Sequence, residues 1–397
     1  MMASATGRLC AGFVGSLLVM WTMGAVATGA LASGRDAATL IGLTPCGPGQ
    51  CVELLGLLKE RFTRLSGELG AEHRETIAAL DEIAKTHLRR REFALAEQEY
   101  LRVLQARISA LGEDHPDTAT AYSNLGTVHT FVRRYHEAIS MYRRALAIRT
   151  AHFGPRSLPV ATSQTNIARV QLRLRQLVSA EALFRSAIDT RTALLGAKNP
   201  LTATSVFGLA ETLKESGRFG EAVPLYKQAI DTRRELLGPE HPDVARSFRG
   251  YASLLIRMQR LAEAEPWLVR TLEIRQKTFG PRDPAVGFSY NDLGALYAQM
   301  ERFSDADAAY ASALGIFLET LEPNDPLVAK TYENLARLYY RTNRALEADE
   351  YYKRALHIMG IGPNSSPEMM PGNPTAGPRP DASKPKGRPE PRGPLAR

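Results

Sequence analysis

The stretch Pro116–Gly154, PDTATAYSNLGTVHTFVRRYHEAISMYRRALAIRTAHFG, contains one complete structural unit. Pro116 suits the first position of a helix, where its missing N–H costs nothing. Tyr122, Leu125, Gly126 and His129 follow at i, i+3, i+4 and i+7, one face of a helix. A polar break at Arg133 and Arg134 separates them from Tyr135, Ala138, Tyr142, Ala145 and Leu146, the apolar face of a second helix. Gly154 ends that helix, where a chain turning left-handed calls for glycine. Two helices joined by so short a turn form an antiparallel hairpin.

This unit recurs along the chain. Gly70, Gly112, Gly154, Gly196, Gly238 and Gly280 stand 42 residues apart, and Pro116, Pro200, Pro242, Pro284 and Pro326 share a second column. A fixed period of about 20–50 residues marks stacked repeats, so a solenoid is predicted rather than a compact domain around a pocket. The second-helix column Ala96, Ala138, Ala180, Ala222, Ala264, Ala306 and Ala348 never varies. Four residues later stand Tyr100, Tyr142, Phe184, Tyr226, Leu268, Tyr310 and Tyr352. Small residues let helix backbones approach, and the large residue one turn on fills the groove. This alternation is a packing device and requires no chemistry.

Tyr122, Leu125-Gly126, Ala138, Tyr142 and Ala145 together resemble the tetratricopeptide repeat. The 42-residue length and the junctions Leu111–Pro116 and Leu237–Pro242, which read L-G-x-x-H-P, resemble its kinesin-light-chain variety. The resemblance covers residues 74–360 as seven helix pairs, preceded by a lone second helix at Val52–Leu69. It implies an all-α fold, a right-handed superhelical solenoid of antiparallel helix pairs acting as a non-catalytic scaffold for a protein or peptide. Arg74 and Leu158 replace the junction proline, Glu322 replaces the glycine and Ala345 replaces a bulky residue, so altered turns and a looser last unit are expected.

In such proteins the first helices line a concave groove that holds peptides, often through asparagine contacts to their backbone. By position, Asn124, Asn166, Asn291 and Asn334 resemble those contacts, with Asn291 one place early in its unit. Ser123 and Thr127 begin the stripe rotated by about 120° from the core stripe. Thr165, Arg169, Glu211, Arg249, Lys330 and Arg337 lie on the same side. Hydrogen bonding between neighbouring helices is the other reading of the asparagines. A further column, Arg107, Arg149, Arg191, Arg233 and Arg275, falls late in the second helices. Each cation there meets the negative end of a helix dipole. Alternatively the column is a basic ladder on one flank, able with the basic tail to hold a polyanion or acidic partner.

Both ends read as something other than repeat. Arg8, the apolar run Ala11–Ala32 and the terminal Ala30-Leu31-Ala32 describe a secretory signal over residues 1–32, or an uncleaved membrane anchor. Either reading places the repeats outside the cytoplasm, periplasmic or secreted, and only the anchor implies membrane attachment. Residues 33–51 carry Cys46 and Cys51 around Gly-Pro-Gly, a turn suited to a disulfide, with two free thiols as the alternative. Ten prolines among residues 361–397 preclude a packed helix there, leaving a disordered spacer or a proline-rich recognition site.

The formal net charge of +8 is spread too thinly for a nucleic-acid partner, which requires a dense basic face. No glycine-rich phosphate loop or nucleophile elbow occurs, and His136-Glu137 lacks the second histidine of a zinc protease. No enzyme, cofactor or metal site is therefore expected. Signal removal predicts Ser33 as the mature N-terminus. Intact-mass analysis should find the chain starting there, whereas retention of Met1 would identify an anchor.

Overall fold

The computed structural model describes residues 48–360, with side chains from Cys51 onward. The expected signal, Cys46 and the proline-rich tail lie outside the described residues. Cys51 is buried and disulfide-bonded, while Cys46, its expected partner, is not described. Among the described residues there are fifteen helices and no strand, an all-α repeat solenoid. No described helix is long and apolar enough to cross a membrane.

The lone helix is α1 (Pro48–Leu69). Four complete pairs follow: α2 (Arg74–Arg89) with α3 (Phe93–Leu111), α4 (Pro116–Phe131) with α5 (Tyr135–Phe153), α6 (Leu158–Arg173) with α7 (Leu177–Leu195), and α8 (Pro200–Glu215) with α9 (Phe219–Leu237). Next come α10 (Pro242–Arg257) with α11 (Leu261–Phe279), α12 (Pro284–Gln299) with α13 (Phe303–Thr320), and α14 (Pro326–Arg341) with α15 (Ala345–Ile358). Two compact units divide this array, one through Ile274 and one from Arg275. Direct contacts that skip a helix run between first helices: α6 with α8 and α8 with α10 in the first unit, α12 with α14 in the second.

Packing follows the small-over-large columns. Ala96, Ala138, Ala180, Ala222, Ala264, Ala306 and Ala348 are fully buried. A Cβ added to Gly126 would meet the Tyr142 ring at 2.9 Å, and one added to Gly208 would meet Phe184 at 2.3 Å. The small residue is thus the seat on which the ring of an adjacent helix lies.

Two different turns alternate, and they explain the residues found there. After each first helix the chain closes a Schellman motif: the N–H of Arg134 donates to the His129 carbonyl at 2.8 Å, and that of Arg133 to Thr130 at 3.2 Å. The middle residue is left-handed, at φ of 63° for Arg91, 61° for Arg133 and Arg175, 60° for Gln259 and 59° for Glu301 and Asn343. Only Gly217 supplies glycine at this turn. After the second helices, Gly154 stands at φ 78°, ψ 161°, a combination essentially reserved for glycine. This explains the unbroken glycine column beside a turn that accepts arginine. At the last junction, where glycine is missing, α13 stops one residue sooner and Leu321 turns at φ −117°.

The next first helix then begins on a side-chain cap. His115 Nδ1 accepts from the Asp117 N–H at 3.1 Å, and His73 and His241 do the same. Asn199, Asp283 and Asp325 take this place in other repeats, whereas Ser157 makes no such cap. Three histidines therefore have a structural task.

Gly208→Ala should cost about 1–3 kcal/mol in chemical denaturation, because the Phe184 ring must move. Gly315→Ala, with nothing within 4 Å, should instead stabilise α13 by about 0.5–1 kcal/mol. Acid acts through His241, whose burial, with Arg246 and Arg233 nearby, holds it below its ordinary 6.5. A group depressed on folding contributes its stability fully above the unfolded value and loses it as pH falls below 6.5. The protection factor of the Asp243 amide, exchange corrected for its intrinsic pH dependence, should fall over that window, and His241→Asn should remove the effect.

Candidate functional site

The arginine column is not a surface ladder. Arg191 is 0% and Arg233 1% exposed, and Arg149 and Arg275 are also buried. Arg191 lies on α7, and its Nη1 donates to Ser205 Oγ at 2.7 Å and to the Leu201 carbonyl at 2.8 Å, both on α8. Its Nη2 donates back to Thr162 on α6 at 3.2 Å. Arg149 bonds Ser163 and Thr120 in the same way, and Arg233 bonds Ser247, Thr204 and the Asp243 carbonyl. Arg275 repeats the forward half of the pattern to Ser289 and the Ala285 carbonyl. Arg107 reaches the Asp117 carbonyl.

Each guanidinium thus ties its own first helix, the next first helix, or both to a second helix. Burial pushes Arg191 down to about 10 and Arg233 down to about 9, since their hydrogen-bond partners are neutral oxygens. The alternative reading of the column as a basic flank is overturned for Arg149, Arg191, Arg233 and Arg275, because these cations face inward, between helices. The sequence hid this: a serine fourteen residues after and a threonine twenty-nine residues before Arg149, Arg191 and Arg233 were the signal, spread over three helices.

The residues expected in the groove separate into three groups. Ser123 and Thr165 are buried, at 7% and 0% exposure, so their hydroxyls do not reach an open face. Thr165 shares a hydrogen bond of 3.2 Å with Ser205. Asn124 donates to Asp81 at 3.1 Å, and Asn334 donates to Asn291 at 2.9 Å, so these asparagines bridge consecutive first helices. Thr127 meets the Tyr142 hydroxyl at 3.0 Å. Lys330 and Arg337 of α14 both face Glu333. Glu211 accepts from Tyr226 and pairs with Lys214 at 2.9 Å; Lys214 and Arg249 nearby help hold its carboxyl below the ordinary range against the opposing effect of burial.

Asn166 and Arg169 remain. They lie one turn apart on α6, half-buried, and no side chain of the described residues bonds or pairs with either. Burial, with Arg246 and Arg173 adding to it, brings Arg169 down to about 10. Beside them α8 is the floor of the first-helix face: within residues 202–214 only Glu211 escapes burial. No group of three or more His, Cys, Asp or Glu among the described residues is placed to hold a metal ion.

In sequence, residues 63–151, 159–235, 208–255, 243–319 and 305–359 match the tetratricopeptide repeat. No curated protein matches the chain. Among solved structures, BtubC (BKLC) from P. vanneervenii is 22% identical with a TM-score of 0.50, covering 64% of this chain and 98% of its own. Aspartyl phosphate phosphatase F from Bacillus subtilis has a TM-score of 0.54 at 13% identity, covering 76% of this chain and 75% of that one. A putative kinesin light chain from Podosopora anserina is 21% identical with a TM-score of 0.43, over 52% of this chain and 98% of its own. At these identities the likeness is one of fold.

Removing one acceptor from a buried guanidinium distinguishes the stitching residues from the open face. Ser247→Ala should cost about 1–3 kcal/mol in urea denaturation by leaving part of Arg233 unsatisfied. Asn166→Ala should shift stability by less than about 0.5 kcal/mol.

Proposed function

The chain belongs to the tetratricopeptide repeat family, and on that premise we propose that it is a non-catalytic scaffold binding a protein or peptide along its first-helix face. The observation carrying this reading is the contrast on α6, where Asn166 and Arg169 keep spare hydrogen-bonding groups while the asparagines of other first helices are bonded to a neighbouring helix. Asn124, Asn291 and Asn334 are consumed by neighbouring helices, yet Asn166 and Arg169, both half-buried, have no side-chain partner among the described residues. A scaffold that grows by stacking satisfies its internal groups repeat by repeat, and residual donors at one place serve a partner. The segment Arg8–Ala32, read as a signal or anchor, supports a site of action outside the cytoplasm.

Photo-crosslinking in intact cells tests the reading. A photoreactive residue replacing Thr127 or Ser253, on the first helices α4 and α10, should capture partner chains. The same residue at Arg143 or Lys227, exposed on the second helices α5 and α9, should not. Capture from the second helices alone would refute binding on the first-helix face.

A further inference from the structure

The second helices are covered by the first helix of the following unit, and α15 has no such cover among the described residues. The column Tyr100, Tyr142, Phe184, Tyr226, Leu268 and Tyr310 is at most 4% exposed. Its cover includes a glycine of the following first helix. A Cβ added to Gly208 of α8 would meet Phe184 of α7 at 2.3 Å, and one added to Gly250 of α10 would meet Tyr226 of α9 at 2.9 Å. Tyr352 closes this column on α15 and is only half-buried. Two turns further along the same helix face, Arg149, Arg191, Arg233, Arg275 and Phe317 are buried, whereas Met359 is 42% exposed. Beside it Ile358 is half-buried, where Ile148, Ile274 and Ile316 are buried. Tyr352, Ile358 and Met359 thus leave an apolar end face open.

This face is the interface between units continued by one step, and that interface dictates its cover. Between units the cover is an amphipathic helix that sets a small residue on the ring. The chain supplies no such helix after Gly360, since residues 361–397 contain ten prolines. A proline inside a helix removes a hydrogen bond and clashes with the preceding turn. Methionine at the arginine position also suits a helix of foreign sequence. Arg233 requires Ser247 Oγ and the Asp243 carbonyl at fixed places, while the unbranched thioether of a methionine packs against varied shapes. We propose that the end face docks an amphipathic helix of a partner protein, with a small residue seated on Tyr352 and apolar residues against Ile358 and Met359. It is a second surface, separate from the first-helix face.

Fluorescence anisotropy of the full chain with a fluorescein-labelled peptide of residues 242–257, whose Gly250 covers Tyr226 in the array, tests the proposal. The peptide should bind, and the same peptide carrying Gly250→Leu should bind at least about tenfold more weakly, because leucine cannot sit on the ring. In the chain, Tyr352→Ala and Met359→Ser should each lose about tenfold in affinity. Met359→Ser should keep a native unfolding temperature, since an exposed side chain contributes little to stability. Leu346→Ser removes a side chain 88% exposed, in the column of Val178, which is 84% exposed although a further unit follows it. That variant should bind as the native chain does.

Absence of peptide binding overturns the proposal. So does native affinity in Tyr352→Ala, in Met359→Ser or with the Gly250→Leu peptide, and so does an equal loss in Leu346→Ser. If Tyr352→Ala fails to fold, Met359→Ser decides. A photoreactive residue replacing Met359 in the full chain should capture the peptide. Capture of residues 361–397 instead, or of a second copy, would assign the face to the chain itself and overturn the proposal. None of these results bears on crosslinking from Thr127 and Ser253, so failure here leaves the first-helix reading standing.

Discussion

A charge buried among neutral oxygens ties this array together. Arg149, Arg191 and Arg233 each reach from a second helix to the first helices on either side, with serine and threonine hydroxyls and main-chain carbonyls as acceptors. Desolvating a guanidinium is costly, and only a set of well-placed acceptors offsets that cost. Because the acceptors belong to different helices, offsetting it fixes their spacing and rotation. The planar fork of arginine can address several directions at once, which a lysine ammonium does less well. The rest of the packing follows from that fixed register: alanines over rings, and asparagines bridging first helices.

The same stitching shapes what the surface offers. Polar groups that look available in sequence are spent internally where a neighbour completes them. Asp81 completes Asn124, Ser205 shares with Thr165, and Asn291 completes Asn334. At α6 the pattern breaks, since 43 residues before Asn166, where Asp81 and Asn291 stand for Asn124 and Asn334, the previous repeat presents Ser123, whose hydroxyl is buried without a partner.

Much of the fold was legible because periodicity records it directly. The helix pairs, their order and the glycine, alanine and tyrosine columns can all be read from one strand of text with a 42-residue ruler. One departure was legible as well, since with Glu322 in place of glycine α13 ends early on Leu321, whereas Arg74 in place of proline leaves the junction with the same histidine cap as its neighbours. The candidate site was legible only as a face. Side-chain partners forty or more residues away decide whether an asparagine is free, and no local pattern reports them. The arginine column was visible in sequence, but its burial was not, because the helix-dipole and exposed-flank readings consider one helix at a time.

By itself the sequence determined an all-α repeat array, its register and the positions of its turns, since glycine at positive φ and ψ near 160° and small residues under rings are local or strictly periodic demands. The tertiary structure alone decided which polar groups remain unspent. Hydrogen-bond capacity is settled between helices, by atoms that come together only when successive repeats stack, and so Asn166 and Arg169 are distinguished from Asn124 and Arg191 by their neighbours rather than by their own letters.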